Sequence, residues 1–532
     1  MNASVTGQLY IEGRWVTGEA SRYRAHDPAT GAALDPELSQ ASRAQVEAAV
    51  AAAEAAAPVL RNTSLQERAQ FLRACADEIM ALGDALIARV TAETGLPAAR
   101  IEGERGRTCN QLRLFADYVL RGDFLDARID TALPERKPLP RPDLRHVNVA
   151  LGPVVVFGAS NFPLAFSVAG GDTAAAFAAG CPVLVKGHSS HPGTSELVAR
   201  AIAKAVAACG LPPGTFSLLM GAGADVGAAL VQAPAVKAVG FTGSFAGGMA
   251  LVKLANARPE PIPVFAEMGS VNPVVLLPQA LAANAAEIAR NFVASLTLGT
   301  GQFCTNPGLV FALDDANLDA FLAAASAALA EIPPGVMLNH RIAEAYASGL
   351  RDHGAHDGVR TIATGKPTDG MPGCRARAAL LATSAEHFLR NPSIHEEVFG
   401  PAGLVVRCRN EAELKDAIAA LRGQLTGTVH CAPGELDRYT DLVELLTARA
   451  GRVLVNGFPT GVEVCDAMVH GGPFPASTDS RFTSVGTNAI KRFLRPICYQ
   501  NFPEPLLPPA LRNANPWGIN RLVDGKLTRE SI

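Results

Sequence analysis

A cysteine at position 304, in the stretch GQFCTNPG, follows a glutamate at position 267, in the stretch FAEMGSVNP. A thiolate can capture a carbonyl carbon covalently, and a carboxylate within reach can later activate the water that releases the product. Gly301 and Gly308 flank Cys304 and let backbone and ligand approach closely. Taken alone the pair decides little. A buried cysteine is more often a small hydrophobe than a nucleophile, and a glutamate at the end of an apolar run is equally at home as a surface or N-capping group. The run before Glu267 (263–266) reads as a strand, which predicts burial and a raised pKa for its carboxyl.

The elements that must position these residues read as α/β. From about residue 147 short apolar strands alternate with helices: 154–157, a glycine turn at 158–163, a small-residue helix through 179, then 182–186, a helix over 194–209, 216–220, a short helix near 226–231, and 236–241. Such alternation predicts a parallel sheet covered on both faces, with ligands beyond the carboxyl ends of the strands. Gly158, Gly187, Gly221 and Gly243 all fall at those ends. No GxGxxG fingerprint is present. A second α/β stretch runs from 264 to about 456, with strands near 272–277 and 402–407 and an alanine-rich helix over 318–332. Before these, helices are predicted over 41–57, 66–92 and 97–120, the last with proline at its first position. The proline-rich stretch 131–143 reads as an extended arm or linker, and the tail after 471, rich in proline and aromatics, as a surface arm or subunit contact.

Composition narrows the classes. The 532 residues are 48% hydrophobic and 18% charged with a net charge of −3, which gives no reason to expect nucleic acid or a membrane as partner. The ten cysteines form no CxxC pair, and the eleven histidines do not cluster with cysteines or carboxylates, His188 and His191 reading as loop residues. Reduced thiols in a cytoplasmic enzyme are expected, with no metal. The N-terminus lacks the layout of a secretory signal, and no apolar run is convincing as a membrane span.

The motifs GASNFP, LVKGHSSHPGT, VGFTGSFAGG, AEMGSVNP, GQFCTNPG and HEEVFGP stand in an order and at a spacing that resemble the aldehyde dehydrogenase superfamily. The likeness starts near GRWVTGE and HDPATG and covers almost the whole chain. KGHSSHPGTSE, VEVCDAMVHGGPFPAS and IKRFLRPICYQNFPEPLLP are most similar to the branch of 2,5-dioxovalerate (α-ketoglutarate semialdehyde) dehydrogenases and NADP-linked long-chain aldehyde dehydrogenases. The resemblance implies two Rossmann-like parallel α/β domains plus an oligomerisation arm: a cofactor-binding domain over 1–132 and 151–263, a catalytic domain over 264–470, and an arm and tail over 133–150 and 471–532.

It also implies roles. Cys304 would attack the aldehyde, Asn161 would offer its side-chain amide to the oxyanion, and Glu267 would activate water for deacylation. Lys186, Ser189, Phe241, Gly243, Ser244, Glu397 and Phe399 would bind the cofactor, NADP or NAD. Ser189 stands where NAD-preferring members often carry glutamate, so a 2′-phosphate should be tolerated, although the 221–227 turn supplies no arginine to clamp it. Two departures stand out: Ser270 and Val271 replace the usual residues after Gly269, and Asp466 is unusual in its segment. For a substrate bearing a carboxylate, Arg105, Arg107 and Arg113 are the candidate cations, since residues at i, i+2 and i+8 of one helix cannot all face solvent alike. Phe162, Phe303 and Phe458 could line an apolar tunnel.

The leading expectation is NAD(P)-dependent oxidation of 2,5-dioxopentanoate to 2-oxoglutarate by a homo-oligomer, dimer or tetramer. A broad aliphatic or fatty aldehyde dehydrogenase is the alternative on the same scaffold. A Cys-dependent acyltransferase or hydrolase is the alternative from another class; it offers no use for HEEVFGP.

Overall fold

The carboxyl ends of two parallel sheets and one returning segment of the tail converge on a single region. The computed structural model describes residues 4–532. The first sheet has seven strands, in the order Val264–Glu267, Ala238–Thr242, Val154–Phe157, Val183–Lys186, Phe216–Leu219, Leu9–Ile11 and Arg14–Val16. The first five are parallel, and the last two pair antiparallel at the edge. The strand order reverses between Val154–Phe157 and Ala238–Thr242, which is where a doubly wound sheet opens a ligand crevice. Val154–Phe157 is buried along its whole length, as a strand covered on both faces must be.

The second sheet also has seven strands: Val359–Thr364, Ala379–Ser384, Ala402–Cys408, Leu309–Leu313, Val274–Leu276, Gln424–His430 and Ala450–Val455. All pairs are parallel except the edge pair of Val359–Thr364 with Ala379–Ser384. Alternate residues feed separate cores on its two faces. Val275, Phe311 and Val406 point to one, Val274, Val310 and Val405 to the other. Strand Val264–Glu267, expected to open the second unit, instead forms the edge of the first sheet.

The helices of the N-terminal region form where their caps predict. Ser42 with Gln45, and Ser64 with Glu67, make capping boxes at Arg43–Arg61 and Leu65–Met80. The single helix expected over 66–92 is two, because the chain turns at Ala81 and Leu82 before Gly83, whose φ is 56°. Helix Ala98–Arg121 ends on Gly122 in the left-handed conformation, φ 73°. The small-residue helix is confined to Gly171–Ala179, and residues 162–170 form turns instead.

A third sheet of five strands combines Leu494–Gln500, Leu144–Ala150, Arg128–Asp130, Arg521–Val523 and Lys526–Thr528. Residues 471–493, read from composition as surface arm, run into the interior: Ala476, Val485, Ile490 and Phe493 are fully buried. Two contacts fix them there. Met268 N–H donates to the carbonyl of Ala476 at 2.8 Å, and Thr478 N–H to that of Ala266 at 3.0 Å. Arg492, in the turn Thr487–Phe493, makes a buried ion pair with Asp172 at 2.7 Å.

The close approach of the Cys304 loop to the second sheet rests on one glycine. A Cβ on Gly301, φ 64°, would lie 2.3 Å from the carbonyl carbon and oxygen of Gly400. Gly301→Ala is therefore expected to lower stability by about 2–4 kcal/mol in urea titrations, with loss of activity. Gly354→Ala, which meets open space, should fall within about 1 kcal/mol of the native chain.

Candidate active site

Helix Pro278–Thr297 gives way to a left-handed turn in which Gly299, Thr300 and Gly301 have φ of 55°, 60° and 64°. This turn presents Cys304, half-buried, to the junction of the two sheets. Asn272 holds the loop from below, its Nδ2 donating to the carbonyls of Cys304 and Asn306, both at 2.9 Å. The amide of Gln302 bonds the carbonyl of Val336 at 3.1 Å and the N–H of Leu338 at 2.9 Å. Ser270 and Val271 have a local explanation. Gln424 Oε1 accepts the N–H of Val271 at 2.8 Å, and Ser270 Oγ accepts that of Leu425 at 3.0 Å.

Glu267 ends the edge strand of the first sheet and is 4% exposed. The Ser484 hydroxyl donates to its Oε2. His470 Nε2 lies 3.0 Å from its Oε1 and 3.4 Å from Cys304 Sγ. The ring nitrogen is aligned with the sulfur but not with the carboxylate, so Oε1 is buried without an aligned hydrogen bond among the described residues. His470 is itself fixed by its N–H, which donates to Thr483 Oγ1 at 2.8 Å, and by the ring of Phe166.

The electrostatics of this cluster correct one expectation. Burial pushes the Glu267 carboxyl up, but the charge of the His470 imidazole beside it and the hydrogen bond from Ser484 pull it further the other way, so its pKa is lowered. The opposite holds for Cys304. Burial, then the negative charges of Glu267 and Glu397, raise its thiol well above the usual range, and the Arg107 guanidinium only partly opposes them. Neutral thiol and ionised carboxylate therefore coexist at rest.

Asn161 follows the carboxyl end of the central strand Val154–Phe157 and is 8% exposed. Its Nδ2 donates to the carbonyl of Gln302 at 3.1 Å, which ties the amide to the Cys304 loop and leaves its second N–H for a ligand. The turn around it is clamped by helix Ala98–Arg121. Glu104 accepts the N–H groups of Leu164 at 2.8 Å and Ala165 at 3.0 Å, and Arg100 Nη2 donates to the Asn161 carbonyl at 2.7 Å.

Of the three candidate arginines only Arg107 reaches this region. Its guanidinium stacks over Phe166 at 5.1 Å and Phe162 at 5.9 Å, and its Nε and Nη2 are buried with no partner among the described residues. Arg105 turns away to the carbonyl of Gly83 at 3.0 Å, and Arg113 forms an exposed pair with Asp77 at 2.8 Å. Phe162 and Phe303 do meet, edge to face at 5.3 Å, under Arg100. Phe458 does not join them; it packs on Phe292 and His430 in the core of the second sheet. Asp466, the other departure, pairs with Arg121 at 3.1 Å and accepts from Thr487 Oγ1 at 2.8 Å, which anchors its segment to the helix.

The cofactor candidates line the crevice at the strand ends. Lys186 closes strand Val183–Lys186, with its ammonium pKa lowered by burial and no carboxylate within 4.0 Å among the described residues. Ser189 is exposed just beyond it. Phe241 packs edge-on against Phe157, and Gly243 N–H bonds the Glu267 carbonyl at 3.1 Å. Ser244 caps helix Phe245–Asn256 by accepting from Gly247 N–H at 3.2 Å, and the other first-turn N–H groups need an acceptor from outside the helix. A lysine without a carboxylate partner and a capped helix N-terminus, each following the carboxyl end of a strand of the first sheet, are groups that could hold a dinucleotide's ribose and phosphate. Glu397 and Phe399 reach the same region from before the strand Ala402–Cys408. Gly269 makes room for Glu397, since a Cβ there would lie 2.4 Å from its Oε2.

His470, Ser484, Asn272 and Arg100 are the site residues that the sequence reading left out. Arg100, Glu104 and Arg107 carried a usable signal, because i, i+4, i+7 spacing puts them on one helical face. His470 carried none, lying 166 residues from Cys304 in a segment without regular structure.

Burial, with a smaller push from Glu396, raises the Glu397 carboxyl to about 8 against the single opposing hydrogen bond from Ser270 N–H. A carboxyl whose folded pKa is raised weakens folding as pH climbs from about 4.5 to 8, because only the unfolded chain releases the proton. Glu397→Gln is thus expected to stabilise the cofactor-free protein at pH 8 by about 1–3 kcal/mol, an advantage that vanishes at pH 4.5. Chemical denaturation at the two pH values measures it.

Residues 15–494 match the aldehyde dehydrogenase family. The alpha-ketoglutaric semialdehyde dehydrogenase 2 of Azospirillum brasilense is 58% identical over 523 residues, 98% of this chain and 99% of that protein. The alpha-ketoglutaric semialdehyde dehydrogenase of Acinetobacter baylyi is 48% identical over 524 residues, again 98% and 99%. Among solved structures, methylmalonate-semialdehyde dehydrogenase from Oceanimonas doudoroffii superposes with a TM-score of 0.80 at 21% identity, covering 94% of this chain and 99% of that one. Aldehyde dehydrogenase C from Pseudomonas syringae, a mutant in complex with NAD+ and octanal, gives 0.79 at 21% identity, covering 94% and 97%. The two structures share the fold, and the sequence match over nearly the full length carries the assignment: the chain belongs to the aldehyde dehydrogenase family.

Proposed function

We propose that this protein oxidises 2,5-dioxopentanoate, the semialdehyde of 2-oxoglutarate, to 2-oxoglutarate with NADP or NAD as acceptor. The observation that carries this reading is a cysteine–imidazole–carboxylate cluster near the Arg107 guanidinium, whose Nε and Nη2 have no hydrogen-bond partner among the described residues. The high identity to two enzymes named for that semialdehyde supports the substrate.

Cys304 starts as a thiol and gives its proton to the Glu267–His470 pair, whose Nε2 lies 3.4 Å from the sulfur and which passes it on to solvent, as the sulfur approaches the aldehyde carbon. The oxyanion that forms is met by the free N–H of Asn161 and the backbone N–H of Cys304, each such donor lowering the barrier by about 3 kcal/mol. A nicotinamide dinucleotide held at the strand ends would supply the hydride acceptor that oxidation of the thiohemiacetal carbon requires. Water then attacks the Cys304 thioester, and the unengaged Oε1 of Glu267 takes its proton. Arg107, stacked on Phe162 and Phe166, holds the carboxylate at the far end of the substrate.

For the cofactor, Lys186 and Ser189 serve the adenosine ribose and its 2′ substituent, Phe241, Gly243 and Ser244 the pyrophosphate, and Glu397 with Phe399 the nicotinamide end. Ser189 brings no negative charge. His188 beside it is kept neutral by burial and by His191 and Lys186, which leaves Lys186 as the cation available to a 2′-phosphate. Both dinucleotides are accepted on this reading. The first sheet serves as cofactor domain and the second as catalytic domain. Ten free cysteines support a reducing, cytoplasmic setting, and among the described residues no helix is long and apolar enough to cross a membrane. The edge strand Leu494–Gln500, paired on one side only, supports homo-oligomer assembly through the third sheet.

In rapid-mixing experiments Glu267→Gln should give a burst of reduced cofactor near one per site, followed by turnover slowed by about 100-fold or more. Equal slowing of burst and steady state would remove Glu267 from deacylation. Arg107→Gln should lower kcat/KM for 2,5-dioxopentanoate about 30-fold, or ~2 kcal/mol, while leaving hexanal within about twofold. Arg113→Gln should change neither. If hexanal matches the semialdehyde in the native enzyme, the aliphatic reading on Phe162, Phe166 and Phe303 replaces this one.

A further inference from the structure

Three donor atoms of different chemistry crowd one point of this site. Cys304 Sγ, His470 Nε2 and a Glu267 carboxylate oxygen all lie within 4.8 Å of one another, with individual separations of 3.4 Å and 3.0 Å for the two pairs that include Nε2. Zn²⁺ bound tetrahedrally to sulfur at about 2.3 Å and to nitrogen and oxygen at about 2.0–2.2 Å keeps its ligands roughly 3.3–3.6 Å apart. The two short pairs are already within a few tenths of an ångström of that spacing. Thiolate, imidazole and carboxylate is also a donor set that suits zinc, and three protein ligands with an open fourth position is the arrangement of accessible zinc sites.

We propose that Cys304, His470 and Glu267 bind a single Zn²⁺ ion in the cofactor-free enzyme and that this ion reversibly blocks aldehyde oxidation. A second feature points the same way. Glu267 is 4% exposed, and its Oε1 is buried facing Nε2 without an aligned hydrogen bond, an acceptor that a cation would satisfy. Ser484 holds the other oxygen and fixes the orientation of the carboxylate, as outer partners do around bound metals. Cys304 is only half-buried, so the ion has a route in.

Two features limit the affinity. The nearby Arg107 guanidinium repels a cation, and His470 Nδ1 has no partner among the described residues to support the tautomer that ligates through Nε2. Binding exchanges the thiol proton for the metal: the S–H bond breaks, the Zn–S bond forms, and one proton passes to solvent. No oxidant or reductant is involved. Occupation removes the sulfur lone pair that attacks the aldehyde, so the inhibition, though not the binding, rests on the function proposed above.

The test titrates the chelator-treated full-length enzyme with Zn²⁺ by calorimetry in buffers of different ionisation enthalpy, and with Co²⁺ by visible spectroscopy. One equivalent per chain, about one proton released, and intense tetrahedral cobalt bands with a thiolate charge-transfer band are expected. Cys304→Ser, His470→Ala and Glu267→Gln should each weaken binding by more than about 100-fold, beyond the 10–100-fold typical of outer partners. Cys498→Ser, at an exposed thiol, should leave binding unchanged. Turnover should fall with the same midpoint as binding and return on adding chelator. Absence of stoichiometric binding, an octahedral cobalt spectrum, or indifference to all three variants overturns the site. Tight binding that depends on all three residues but leaves turnover intact upholds the site and overturns the catalytic role of Cys304 instead.

Discussion

The docking of segment 470–484 against the edge strand Val264–Glu267 is the contact on which the candidate site depends. Edge strands expose unpaired backbone groups, and here Ala476 and Thr478 satisfy them through bonds to Met268 and Ala266. The same docking sets His470 and Ser484 on either side of the Glu267 carboxylate. One piece of backbone pairing thus closes a sheet edge and sets the charge state of the residue at its end. The buried Arg492–Asp172 pair holds the segment that follows. Two charges taken out of water together stabilise little by themselves, but either one left alone would be costly, so the pair resists any other seating of the tail.

Around that contact the other parts play complementary roles. The left-handed turn before Cys304 and the Asn272 amide beneath it fix the sulfur from the second sheet. Glu104 and Arg100 fix the Asn161 turn from a helix at the back of the first. The nucleophile, the amide and the carboxylate arrive on different elements, yet each is held by at least one hydrogen bond to a backbone group or to a side chain itself buried. On the mechanism proposed above, preorganisation of this kind lets a thiol with a raised pKa remain useful, since the group that would take its proton is already in place.

Much of this was legible in the sequence, and the failures have physical reasons. Strands buried on both faces, such as Val154–Phe157 and Val183–Lys186, read as apolar runs between glycine turns, and the parallel sheet followed from their alternation with helices. Cys304 and Glu267 stand out by type and by their glycine-flanked and strand-end positions, whereas Asn161 was singled out only through the resemblance of its GASNFP motif to the family. The lowered pKa of Glu267 could not be read, because it is set by His470, about two hundred residues away in the chain. The tail was misjudged for a related reason. Its prolines signal irregular backbone, and irregular backbone is usually exposed, but within 471–493 polar groups are satisfied by the edge of the first sheet. Arg113 and Phe458 were ambiguous on type alone; only packing separates them from Arg107 and Phe303.

The position of His470 and Ser484 near the end of the chain has a consequence for biosynthesis. A ribosome releases Asn161, Glu267 and Cys304 well before these last two partners, so a nascent chain carries its sulfur without the imidazole that would relieve it of its proton. Until the final segment seats on the edge strand, sulfur, carboxylate and imidazole are not held together, so the assembled cluster is withheld from every incompletely made copy.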